Sequence, residues 1–111
     1  MMYDEIKKAV NDLFAHRRNL HTGFGYRKVM EVADETLARM CFDKEGLDYW
    51  TENAHIHVFL EAGVCPTIDV VVDDQPVLFI EGDVLEADCP VLSERWADVG
   101  PILIGLAEVC A

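Results

Sequence analysis

After Asp43-Lys44-Glu45-Gly46 the apolar residues of this chain change their spacing, from one every three or four residues to one every second residue. The first period is that of a helix with one buried stripe and the second that of a strand with one buried face, so helices must precede a sheet. Upstream, Ile6, Val10, Leu13, Phe14 and Leu20 form one stripe over residues 3–20. Asp4 and Glu5 open that segment and Arg17-Arg18 stand near its end, the polarity that suits a helix macrodipole. Gly23 and Gly25 interrupt the pattern, and Tyr26, Val29, Met30, Ala33, Leu37, Met40 and Cys41 resume it, which predicts a second helix over 26–42.

Downstream, Ile56, Val58 and Leu60 alternate with His55, His57, Phe59 and Glu61 in a predicted first strand. A turn at Ala62-Gly63-Val64-Cys65-Pro66 leads to a second strand, where Ile68, Val70 and Val72 alternate with Asp69, Val71 and Asp73. Asp73-Asp74-Gln75-Pro76 turns the chain into a third, running from Val77 to Glu81 or through a kink at Gly82-Asp83 as far as Ala87. Trp96, Val99, Ile102, Leu103, Leu106 and Cys110 mark a last helix. Because proline fits best in a first helical turn, its regular part is expected to start near Pro101, with a separate short turn over 93–99. The expected order is ααβββα, an α+β fold with a three-stranded antiparallel meander and the helices on one sheet face. At 111 residues the chain is too short to divide into two cores, so 1–111 is expected to be a single domain.

Half of the residues are apolar, 51%, which is enough to build a core and argues against disorder. Met1-Met2-Tyr3-Asp4-Glu5 carries acid where a secretory leader carries base, and no apolar run approaches the roughly 18–20 residues of a membrane span. A cytoplasmic protein with no membrane partner is expected. Cys41, Cys65, Cys89 and Cys110 have neither Cys-x-x-Cys pairing nor the density of a disulfide framework, so they are expected to be reduced.

The net charge is −12 and unevenly spread. Residues 1–48 hold eight bases against nine acids (−1), whereas residues 49–111 hold Arg95 against twelve acids (−11). Such a field repels phosphate backbones and attracts basic proteins and cations, so no nucleic-acid partner is expected, and the charge serves either a basic protein partner or solubility alone.

His55 and His57 share one side of the first strand, and a hairpin closing on Glu61 and Thr67 sets Asp73 across from His55 and Val71 across from His57. Two imidazoles and a carboxylate, Asp73 or Glu81, are the donor types of an open metal or ligand site. The alternative is a pair of surface or interface histidines beside acids, and no metal or cofactor is assigned on these residues. Cys65-Pro66 and Cys89-Pro90 are expected at the same sheet end, ~25–30 Å from His55 at ~3.3 Å per residue, too far to join that site. His16, Arg17, Arg18, His21, Arg27 and Lys28 gather base around a turn containing Gly23 and Gly25. That turn lacks the third glycine and preceding strand of a dinucleotide fingerprint, so compensation of a helix terminus is the expected role. No calcium-loop order or nucleophile-elbow pattern is present.

With helices on one face, the other face of the sheet keeps Phe59, Val71 and one of the pairs Val77/Phe79 or Leu78/Ile80 beside His57 and the acids. That face is too apolar for plain solvent. Two functions of different class fit these residues. One is a non-catalytic binding protein (adaptor, inhibitor or immunity-type) that forms a homo-oligomer, most simply a dimer, with His55, His57, Phe59, Val71 and Asp73 on the contact face. The other is a small metal- or ligand-binding protein or enzyme using His55, His57 and a carboxylate in a pocket between helices and sheet.

Overall fold

The computed structural model describes residues 2–20, 39–43 and 46–111. It is an α+β fold built on one antiparallel sheet. Helix α1 (Met2–Ala15) ends in a 3-10 turn (Arg17–Asn19). Six strands follow: β1 (Arg39–Asp43), β2 (Gly46–Trp50), β3 (His55–Glu61), β4 (Thr67–Val72), β5 (Gln75–Glu81) and β6 (Val84–Ala87), each paired with the next in sequence. Two helices close the chain, α2 (Cys89–Glu94) and α3 (Trp96–Cys110).

The sheet therefore has six strands, not three, and the differences have local causes. Residues 39–43, expected at the end of a second helix, form β1, because Met40-Cys41-Phe42 satisfies either period and pairing with β2 decides between them. Residues 26–38 of the expected helix lie outside the described residues. β2 buries only two apolar side chains, Leu47 and Tyr49, too few to declare a period. The third expected strand does not kink onward past Glu81. It reverses at Gly82, whose φ of +57° belongs to the left-handed region, and returns as β6. That reversal puts Cys89 at the far end of β6, away from Cys65, whose Sγ lies against Gly82. The two Cys-Pro loops thus occupy opposite ends of the sheet.

Burial follows alternation. Ile56, Val58, Leu60, Ile68, Val70 and Val72 are all 0–3% exposed, the expected core face, and they pack with Ile6, Val10 and Leu13 of α1 and Val99, Ile102, Leu103 and Leu106 of α3. Each such aliphatic side chain contributes about 1.5–3 kcal/mol by leaving water. A bulge where β4 meets β5 sets Val70 opposite Leu78 but Val71 opposite Pro76. The extra residue, Val77, is buried together with its neighbour Leu78.

α3 starts at Trp96, five residues earlier than expected, and runs through Pro101. The proline forfeits one hydrogen bond, to the carbonyl of Ala97, and its ring lies on the exposed side of the helix. Gly100 before it is buried flat against the Trp96 indole, where a Cβ would come within 2.8 Å of the ring. The expected turn over 93–99 is instead the end of α2, a break at Arg95 and the first turn of α3. Asp88 caps α2 by accepting a hydrogen bond from the Val91 N–H, so Cys89-Pro90 opens a helix instead of ending a strand.

Candidate functional site

The face of the sheet turned away from the described helices is set row by row by strand register, since residues directly opposite in antiparallel strands share a side. One row reads Asp48, His57, Val71, Pro76 across β2 to β5. The next reads Phe59, Asp69, Phe79, Glu86 across β3 to β6, and the third Glu61, Thr67, Glu81, Val84. Phe59, Val71 and Phe79 are half-buried, Trp50 and Val84 exposed. The pair completing the apolar face is thus Phe79 with Pro76; Leu78 and Ile80 belong to the core.

The hairpin register is the expected one: Glu61 pairs with Thr67 and His57 with Val71, and the backbones of His55 and Asp73 are joined by Asp73 N–H donating to the His55 carbonyl at 2.8 Å. The Asp73 side chain does not meet the imidazoles. Its Oδ1 accepts from the His55 backbone N–H at 2.9 Å and its Oδ2 pairs with Arg95. Those partners, the N–H first and Arg95 after it, hold its carboxyl below the usual range against the effect of burial. Asp73 and Asp74 both have positive φ, so the turn they form is a tight two-residue reversal matched to the sheet twist.

The carboxylate that does join the histidines is Asp48, on β2, a strand that the sequence pattern does not predict. His55 Nε2 and His57 Nδ1 both donate to Asp48 Oδ1, at 2.7 and 3.0 Å. Each ring is oriented by a separate contact. His55 stacks on Trp50, centroids 4.9 Å apart and planes 16° from parallel. His57 lies over Gly46, close enough that a Cβ there would come within 3.2 Å of its Nε2. The hydrogen bond from His57 is the largest influence holding the Asp48 carboxyl below the usual range, with burial opposing it and His55 adding to it. The carboxylate oxygen stands at the point on which both ring nitrogens converge. Among the described residues no group of three or more His, Cys, Asp or Glu is arranged to hold a metal ion.

Asp69 is the opposite case. It stands in β4 between Phe59 of β3 and Phe79 of β5, and its side chain has no hydrogen bond or ion pair among the described residues. Burial pushes its carboxyl above the usual range, and the charge of His57 offsets this in part.

The basic cluster at the end of α1 is occupied. Arg17 donates to the carbonyls of Gly82 and Phe14 and to Asp83 Oδ1, and Arg18 donates to Asp83 and to the Val64 carbonyl. The Arg17 guanidinium also lies 4.1 Å over the Phe14 ring. Arg17 thus satisfies a terminal carbonyl of α1, the role expected of it, and also clamps the β5–β6 turn. His21, Arg27 and Lys28 lie outside the described residues.

The interior between helices and sheet is filled by side chains. One groove, about 600 Å³, runs between α1 and α3, along Glu5, Ala9, Asp12, Ile104 and Glu108. A second depression of about 400 Å³ lies beside Phe79, between Pro76, Glu86, Asp88 and Pro90. No helix among the described residues is long and apolar enough to cross a membrane.

No protein-family model matches the chain, and no curated protein or solved structure shows significant similarity to it.

Proposed function

We propose that the chain is a non-catalytic interaction protein whose open sheet face receives a basic protein partner. The observation that carries this reading is the composition of that face. Its centre is apolar (Phe59, Val71, Phe79), and around it stand the carboxylates Asp48, Glu61, Asp69, Glu81 and Glu86 with His57 and Thr67 between them. Half-buried rings surrounded by charge are the anatomy of a contact surface. One sign of charge makes the choice of partner electrostatic, because a basic surface gains from every approach that an acidic one loses. The test is capture from the native host with the unmodified chain, Phe59→Asp and Glu94→Gln as baits. A basic protein retained by the first and third, lost by Phe59→Asp and released by added salt supports the reading; equal retention by all three overturns it.

A second reading is self-association through the same face. Six strands ~4.8 Å apart and about six residues long span roughly 600 Å². A symmetric pair would bury ~1,200 Å², the lower bound of a specific interface. Like carboxylates would then face each other, so the dimer should strengthen as salt rises, the opposite sign from a basic partner. Sedimentation equilibrium at tens of micromolar across a salt series separates the two readings.

A further inference from the structure

Of the groups on the open face, Asp48 is satisfied by two imidazoles and Asp73 by a backbone N–H and Arg95, while Asp69 is half-buried, unlike the exposed Glu61, Glu81 and Glu86, and its carboxylate has no hydrogen bond or ion pair among the described residues. We propose that Asp69, flanked by Phe59 and Phe79, is a socket for a cationic side chain, the arginine of a basic partner in preference to lysine. The inference rests on the open face being the partner-binding surface and names the group that the face recognises.

Geometry supports it first. Phe59, Asp69 and Phe79 occupy directly opposite positions on three adjacent strands. The two rings rise from backbones ~9.6 Å apart, with the carboxylate midway. A planar group between two rings needs ~7 Å, two contacts of ~3.5 Å, so the gap between these strands admits a guanidinium above the carboxylate. Diagonal to Asp69 stand Glu61 and Glu81, which deepen the negative potential, and His57, which is already turned toward Asp48.

Energetics point the same way. A carboxylate usually loses water when a cation docks, and that loss cancels much of the attraction. Folding has already removed part of the water around Asp69, so the partner gains the charge pairing at a smaller additional penalty, which is preorganisation. Arginine gains more than lysine, because it is more weakly hydrated, stacks on rings and can donate two parallel hydrogen bonds to one carboxylate. The depression beyond Phe79, with Pro76 and Pro90 at its floor and Glu86 and Asp88 beside them, extends the same apolar and acidic character along the face.

The experiment uses the full chain and a capped twelve-residue peptide alternating arginine and alanine, with a twin carrying neutral citrulline for arginine. Calorimetry and carboxyl-carbon NMR are the readouts. The arginine peptide should bind and the citrulline peptide should not. Asp69→Asn should weaken binding at least tenfold, Phe59→Ala and Phe79→Ala several-fold each, and Glu94→Gln less than twofold. In the unmodified chain the titration of the Asp69 carboxyl should move to lower pH when the peptide is added, a readout independent of whether any variant folds. Equal weakening by Asp69→Asn and Glu94→Gln, equal binding of both peptides, or an Asp69 titration that does not move overturns the socket. If Phe59→Asp abolishes partner capture while Asp69→Asn leaves it unchanged, the open face stands and the socket falls. If neither changes capture, both fall.

Discussion

Asp48 and Asp69 sit two strands apart on one face, and folding treats them in opposite ways. Asp48 has a folded-state carboxyl below the ordinary value of 3.8, so its contribution to stability is present above that value and is lost as the pH falls through the folded one. Asp69 has a folded-state carboxyl above the ordinary value, so ionising it opposes folding, and stability declines as the pH rises from 3.8 through its folded value. Asp48→Asn should therefore lower Tm at pH 7 and Asp69→Asn raise it, with both differences shrinking toward pH 3, as thermal melts across pH would show. A group that opposes the fold where it stands fits a role in binding. Gly46 shows a second residue-scale constraint. Its φ is +144°, and an added Cβ would stand 2.4 Å from the Val58 carbonyl oxygen. Gly46→Ala should cost about 2–3 kcal/mol in urea unfolding and free the His57 ring that lies over this position.

Between elements, the helix layer is tied to the sheet by packing and by polar clamps, among them Arg17, Arg95 and the Thr51–Asp98 hydrogen bond. The Arg17 side chain is only 12% exposed and reaches from the end of α1 to the β5–β6 turn. Arg17→Ala leaves the Gly82 and Phe14 carbonyls without that donor and should destabilise the fold by about 2–3 kcal/mol, far more than an exposed ion pair such as Lys8–Asp12 contributes. Amide hydrogen exchange should locate the loss at residues 81–84. The elements visible in sequence were those with several repeats of their period: α1, β3, β4 and the core of α3. β2 was not visible and β6 was legible only as a continuation of the third strand, because strands resting on two or three alternating residues declare themselves only through their neighbours. The site inherited that limit. His55, His57, Phe59 and Val71 could be set on one face from period alone. Asp48 and the Phe79 side of Asp69 needed a strand and a bulge that pairing decides.

At the scale of the molecule, the fold places three of the four cysteines in unlike surroundings. Cys65 is exposed near the β5–β6 turn, Cys89 is half-buried at the opposite end, and Cys110 is buried in α3 with its thiol pushed up to about 11. Since the thiolate is the reactive form, an aromatic disulfide reagent at pH 8 should modify Cys65 first, Cys89 more slowly, and Cys110 only on unfolding. Mass spectrometry of timed samples checks the order, and fast labelling of Cys110 in the native protein would contradict its burial. Four free thiols under denaturing, non-reducing conditions are expected from the spacing of the cysteines.

By itself the sequence determined the class of fold, the order of helix before sheet, the core face of β3 and β4 and the concentration of negative charge in the second half. Those properties are local, because a period or a charge count is complete within a dozen residues. Tertiary structure decided the number of strands, the reversal at Gly82, the side chain that answers His55 and His57, and the isolation of Asp69. Each of these depends on which strand lies beside which, and pairing energies between segments far apart in sequence leave no period in either segment alone.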